Sequence, residues 1–136
     1  MNNRIPENNT VSRCAVITGI LLILTSVIHA LDINDTVIAV KTGDIAPSHA
    51  ASAISVWIFS GVSMLLMGIW LLFLAKDLKL MSRRAWWQAL VIALGLAGFS
   101  LGSWLQFPKA FHLLYFLLLA MILLVPISLH IKKFKS

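Results

Sequence analysis

The sequence is poor in cysteine and in charge. Cys14 is the single cysteine among 136 residues, so the chain cannot contain an internal disulfide bond. Charged residues make up 12% of the chain, and only five of them are acidic. With a hydrophobic content of 60% and a mean hydropathy of +0.92, this shortage of charge is typical of a membrane protein and unlike a soluble bundle, whose helices would show polar faces.

Four long runs lack Asp, Glu, Lys and Arg altogether. Each is about as long as the roughly 20 residues that a helix needs to cross the hydrocarbon layer. Lipid offers no hydrogen-bond partner to the backbone, so runs of this kind have to be helices. We therefore predict a single-domain, all-α, polytopic membrane protein, an antiparallel bundle of four transmembrane helices that cover residues 14–31, 50–75, 85–105 and 110–131.

Sequence motifs of several common enzymatic and metal-binding activities are also missing. The sequence has no Gly-rich phosphate loop, no nucleophile elbow, and no His-x-x-x-His or Glu-x-x-His pair within one run. No ionisable residue lies in the middle of a run, which argues against an ion-coupled transporter or a channel, although a homo-oligomeric pore stays open. The first run is long for a secretory signal and lacks a clear small-x-small cleavage site before Asp32, so we expect it to be retained.

The basic residues are unevenly distributed among the segments outside the runs. Nine lie in the N-terminal tail, the second connection and the C-terminal tail, whereas the other two connections hold only Lys41 and Lys109. Because cytoplasmic segments carry an excess of Lys and Arg, we expect both termini in the cytoplasm of a multi-pass protein of the bacterial inner membrane. Attraction to anionic lipid headgroups accounts for the basic surface, so no nucleic acid partner is expected.

Three glycines in the third run share one face of a helix. Gly95, Gly98 and Gly102 follow one another at spacings of three and four, and small residues at such spacing allow helices to approach closely in lipid. We expect the other helices to be arranged around this stripe. Because the second run also has a face of small residues, we further predict a homo-oligomer or a larger membrane complex.

The first connection, residues 32–48, is the longest and is placed on the outer side. Asp35 and Thr36 can cap a short amphipathic helix that Gly43 can end. We expect this helix to lie along the membrane surface.

Three of the four histidines are expected near the same outer surface. His29 ends the first run, His49 precedes the second and His112 begins the fourth, so they lie within about two helical turns of one surface. Imidazoles with a carboxylate are suitable ligands for a divalent transition metal. The candidate metal ligands are His29, His49, His112 and Asp44.

The same region offers groups for proton transfer. A His-Asp pair beside a tyrosine could move protons to or from a lipid-soluble molecule, and two histidines on separate helices could hold a haem. The candidate catalytic residues are His29, Asp32, His112 and Tyr115.

Two functions therefore stay open at the level of the sequence. The first is a small membrane protein whose outward-facing His/Asp/Tyr pocket binds a metal or a hydrophobic small molecule, with or without catalysis. The alternative is an accessory or structural subunit that has no chemistry of its own. The competing interpretation of each histidine is an interfacial residue that water and headgroups satisfy.

Overall fold

A computed structural model describes residues 9–134 of the chain. These residues form helices and turns, and no β-strand occurs among them. Four helical segments are long and apolar enough to cross a membrane. The predictions of an all-α protein and of four such segments are therefore confirmed.

Five α-helices follow one another along the chain. They are α1 (Asn9–Leu31), α2 (Ile33–Thr42), α3 (Pro47–Lys79), α4 (Arg83–Gln106) and α5 (Leu114–Leu129). Both α3 and α4 extend past the predicted apolar runs, because polar residues at the end of a run can continue a helix that the run has begun. By contrast, α5 is shorter than predicted, since 3-10 turns at Phe111–Leu113 and Ile131–Lys133 occupy the two ends of its run.

The chain forms two compact units, which are described separately. One contains residues 19–69, and the other contains the described residues before and after this range. The boundaries fall inside α1 and inside α3.

In the unit of residues 19–69, α1 and α3 approach closely at a glycine. A Cβ atom added to Gly68 would lie 2.7 Å from the carbonyl oxygen of Gly19 and 2.8 Å from Cγ1 of Ile23. Real Cβ atoms do not come so close to other heavy atoms, so only glycine fits this position without a shift of one helix. Small residues serve this purpose where helices meet in lipid.

The other unit contains the pair of α4 and α5. The indole N–H of Trp86 donates to the carbonyl of Ile127 (3.3 Å), and the hydroxyl of Ser100 donates to the carbonyl of Leu113 (2.7 Å). Trp86 lies early in α4 and bonds to Ile127 late in α5, whereas Ser100 lies late in α4 and bonds to Leu113 just before α5. The two helices therefore run antiparallel. The residues of α4 that are buried lie on one face: Ala85, Trp86, Ala89, Ala93, Leu96 and Ser100.

The glycine stripe of α4 lies on the opposite face. Gly95, Gly98 and Gly102 are exposed, and a Cβ atom added to any of them would meet no atom within 4 Å. Within this unit no helix packs against the stripe, so its role in helix packing stays a prediction. The helix packs instead through its alanine face, because alanine also allows close approach.

A tight turn joins α3 to α4 in the same unit. The N–H of Ser82 donates to the carbonyl of Asp77 (3.0 Å), and the N–H of Met81 donates to that of Leu78 (3.1 Å). This is the Schellman arrangement, which requires a left-handed residue at the position of Met81. Met81 has a φ of 60°, which is unusual for a residue with a side chain, and its side chain is 5% exposed. Burial of the methionine therefore offsets part of the backbone strain.

The first connection contains α2, as expected, although the start of the helix differs from the prediction. The helix begins at Ile33, and Asp32 occupies the N-cap position without a side-chain hydrogen bond. Gly43 ends the helix in the left-handed conformation with a φ of 86°, as predicted. The sequence placed the start later because Asp35 and Thr36 resemble capping residues, but the chain turns helical again directly after α1.

We expect Gly68→Ala to destabilise the contact of α1 with α3. The new methyl group must displace backbone or Ile23, and overpacking of this kind costs about 1–3 kcal/mol. The matched control is Ser55→Thr, which adds one methyl group at an exposed position of α3 outside this contact. The measurement is the free energy of unfolding in mixed micelles on titration with a denaturing detergent. Equal stability of the two variants would show that the helices do not meet at Gly68.

Candidate functional site

The side chain of His29 lies against α3, close to one end of α1. Its ring stacks on the indole of Trp57, with centroids 4.0 Å apart and an angle of 14° between the planes. A Cβ atom added to Gly61 would lie 3.3 Å from Cδ2 of His29. The bare backbone at Gly61 therefore makes room for the edge of the imidazole.

Hydrogen bonds between His29 and Trp57 run in both directions. Nε2 of His29 is 3.0 Å from the carbonyl oxygen of Trp57, and the indole N–H of Trp57 donates to the carbonyl oxygen of His29 (2.8 Å). Each side chain thus bonds to the backbone of the other residue. We name this pair, together with Ser60, the His29 clasp.

The geometry of the clasp indicates where the imidazole proton lies. A carbonyl oxygen can only accept, so the contact with the Trp57 carbonyl requires a hydrogen on Nε2. The hydroxyl of Ser60 donates to the same carbonyl (2.8 Å), and its oxygen lies 2.7 Å from Nε2. Ser60 can therefore accept from Nε2 while it donates to Trp57.

A further hydrogen bond links α1 to α3 about one helical turn before His29 along α1. The hydroxyl of Ser26 donates to the carbonyl of Gly61 (2.8 Å), and Ser26 is buried. From His29 through Ser26 to Gly19, the residues of α1 face progressively later residues of α3. The two helices therefore run antiparallel and keep one register over about 15 Å of helix.

The other predicted site residues of this unit are exposed, and the hydrogen bonds shown for them are to residues nearby in the sequence. Nδ1 of His49 is 3.3 Å from the hydroxyl of Ser48, and the histidine is exposed. Asp44 is exposed and accepts a hydrogen bond from the hydroxyl of Thr42 (2.6 Å). Asp32 is exposed as well. None of these side chains joins the hydrogen bonds that the structure shows for the His29 clasp.

The remaining two predicted residues belong to the other unit. His112 is exposed and lines an open surface depression together with residues 106–110. Tyr115 is half-buried, and its ring packs edge-on against Phe116 at a centroid distance of 5.6 Å. A polar molecule at this surface could reach His112 from solvent or from the headgroup layer.

Residues 9–134 contain no group of three or more His, Cys, Asp or Glu side chains that could hold a metal ion. The metal and haem hypotheses therefore stay predictions, as does a catalytic role for His29, Asp32, His112 and Tyr115.

The sequence did not indicate Trp57 as the partner of His29. Trp57, Ser60 and Gly61 are spaced by three and four residues, which puts an indole, a hydroxyl and a bare backbone on one helical face. That pattern is visible in the sequence. What the sequence lacks is the identity of the helix that faces it.

We expect His29→Ala to lower the free energy of unfolding by about 1–2 kcal/mol. The change removes a stacked ring pair and the hydrogen bonds of Nε2, and interhelical hydrogen bonds in membranes average about 0.6 kcal/mol. The control is His112→Ala, which removes an exposed imidazole and should leave stability unchanged. The measurement is denaturing-detergent titration, accompanied by metal analysis and a visible spectrum. If His29→Ala kept full stability but lost a bound metal or chromophore, His29 would be a ligand and the clasp would not describe it.

Comparisons with known proteins identify no relative of this chain. No protein-family model, no curated protein and no solved structure matches the chain. The roles of His29, Trp57 and the exposed glycines are therefore inferred from the contacts within this chain and from its composition.

Proposed function

We propose that this chain is a small integral membrane protein that acts as a packing subunit, through α4, in a complex with a second copy of itself. The observation that carries the proposal is the exposure of all three glycines on α4. Each glycine in a helix costs about 1 kcal/mol relative to alanine in soluble systems. A set of three on one uncovered face is therefore a cost that close approach of another helix would offset.

The environment of the stripe supports the same interpretation. The buried face of α4 bonds to the α5 region through Trp86 and Ser100, whereas the glycine face has no neighbour within 4 Å in its own unit. The helix therefore has two faces suited to close packing, of which its own unit uses one. A second copy of α4, placed with its glycines against these, would bring the backbones together without displacing any side chain of this unit.

The binding of a metal or a lipid-soluble molecule at an outer His/Asp/Tyr pocket is the second candidate. The exposed imidazole of His112 in an open depression favours it. The His29 clasp counts against it, because the clasp gives the Nε2 atom of His29 partners within the protein. We therefore favour the packing subunit, with the lipid bilayer and a second copy as its partners.

We further propose that both termini lie in the cytoplasm and that the membrane is the bacterial inner membrane. The uneven distribution of Lys and Arg supports this orientation. It puts the turn between α3 and α4 on the cytoplasmic side and the connection that contains α2 on the outer side.

A reporter fused to the C-terminus should be active only in its cytoplasmic form. Fusions to a reporter that works in the cytoplasm and to one that works outside it give opposite signals for the two orientations. An insertion of the same reporters after Gly43 should give the reverse pattern. Activity of the C-terminal fusion outside the cytoplasm would overturn the proposed orientation.

We expect Gly98→Ile to weaken self-association at least tenfold without lowering the stability of the monomer. The isoleucine side chain would hold two copies of α4 apart, although it meets no atom of its own unit. The control is Val56→Phe, which adds bulk at an exposed position of α3 and leaves α4 unchanged. The measurement is energy transfer between labelled copies in vesicles at varied protein-to-lipid ratios. A protein that is monomeric at every ratio, or equal association of the two variants, would contradict the proposal.

A further inference from the structure

A groove with charged and aromatic walls lies where α3 ends and α4 begins. Its volume is about 240 Å³, and its lining includes Trp70, Phe73, Asp77, Arg84 and Gln88. This volume is many times what a single water molecule requires, so the groove has room for a group of several heavy atoms.

The polar groups of the groove lie at the helix ends, and the aromatic rings lie further along the helices. Asp77 is two residues from the end of α3, whereas Trp70 is seven residues earlier, which corresponds to about 10 Å along the helix. On α4, Arg84 lies in the first turn, and Gln88 lies about 6 Å further in. In chains that span a membrane, this order runs from the headgroup layer toward the hydrocarbon.

The aromatic rings of the groove are uncovered. Trp70 is 50% exposed and Phe73 is 73% exposed, although both lie in an apolar segment long enough to cross a membrane. In a membrane these rings therefore contact acyl chains. Tryptophan is enriched at the level where the chains meet the headgroups.

The two charges of the groove are of opposite sign and are both exposed. In the described part of the chain, no ion pair joins the carboxylate of Asp77 to the guanidinium of Arg84. A guanidinium binds phosphate through paired N–H donors. A carboxylate accepts hydrogen bonds from a primary ammonium, which carries three donors, but finds none on a quaternary ammonium.

We propose that this groove binds a phospholipid whose headgroup carries a primary ammonium beside its phosphate, of the ethanolamine class. Arg84 binds the phosphate and Asp77 binds the ammonium. The amide of Gln88 donates to the ester region, and the acyl chains pass over Phe73 and Trp70. The site requires only that α3 and α4 span a membrane, so it does not depend on self-association.

Native mass spectrometry of the purified full chain tests the proposal. The protein is extracted into a mild detergent and titrated separately with ethanolamine, choline and glycerol phospholipids of identical acyl chains. We expect adducts with the ethanolamine lipid at about fivefold lower concentration than with the choline lipid, because one hydrogen bond to a charged group is lost. The glycerol lipid is anionic and has no ammonium, so the basic residues of this side support its binding and it should not require Asp77.

Two variants assign the contacts. Asp77→Asn should abolish the preference for ethanolamine over choline while adducts persist. Arg84→Gln should weaken all three lipids roughly tenfold. The matched controls are Arg83→Gln, at the adjacent arginine outside the groove lining, and Asp35→Asn on α2, and neither should change the order of the lipids.

Three outcomes would overturn the proposal. One is equal binding of the ethanolamine and choline lipids by the unaltered protein. The second is equal behaviour of Arg84→Gln and Arg83→Gln. The third is protection of Trp70 from a quencher attached to detergent chains on dimerisation alone, without lipid, because a second copy would then cover the groove. Loss of self-association in Gly98→Ile with unchanged lipid binding would separate this site from the proposed packing function.

Discussion

The contact of α1 with α3 at Gly68 is the constraint on which the unit of residues 19–69 depends. The backbones come so close there that position 68 has no space for a Cβ atom. This approach brings Ser26 to the carbonyl of Gly61 and His29 to Trp57. A shift of one residue along α1 would turn its polar face by about 100° and would break these hydrogen bonds together. The glycine provides proximity, and the polar side chains fix the register.

Glycine has two different roles in this chain. At Gly61 and Gly68 it makes room for a neighbouring helix within the same unit. On α4 it leaves an uncovered stripe, while alanine residues on the other face contact α5. The spacing of small residues is similar in the two cases, so spacing indicates that a face can be packed but not which partner packs on it. Within its own unit the stripe has no packing partner, and this observation is the basis of the proposed association of two copies.

The sequence predicted those features that the surrounding lipid or the backbone geometry determines. Runs without charge predicted four spans because lipid excludes an unsatisfied backbone, and Gly43 predicted the end of α2 because a left-handed residue is needed there. The sequence did not predict that His29 bonds to Trp57, since periodicity assigns a residue to a face and leaves the neighbouring helix open. It also missed the 3-10 turn at Phe111–Leu113, because hydropathy does not distinguish helix types.

The turn at Met81 limits how the chain can be engineered. Three residues join α3 to α4, and one of them combines a left-handed backbone with a buried side chain. An affinity tag or fluorescent protein inserted there would have to displace that side chain and open the hydrogen bonds to Asp77 and Leu78. The exposed segment at Gly43 and Asp44 has no buried side chain to displace. Labels for imaging or purification therefore belong after α2, where the hairpin of α3 and α4 stays intact.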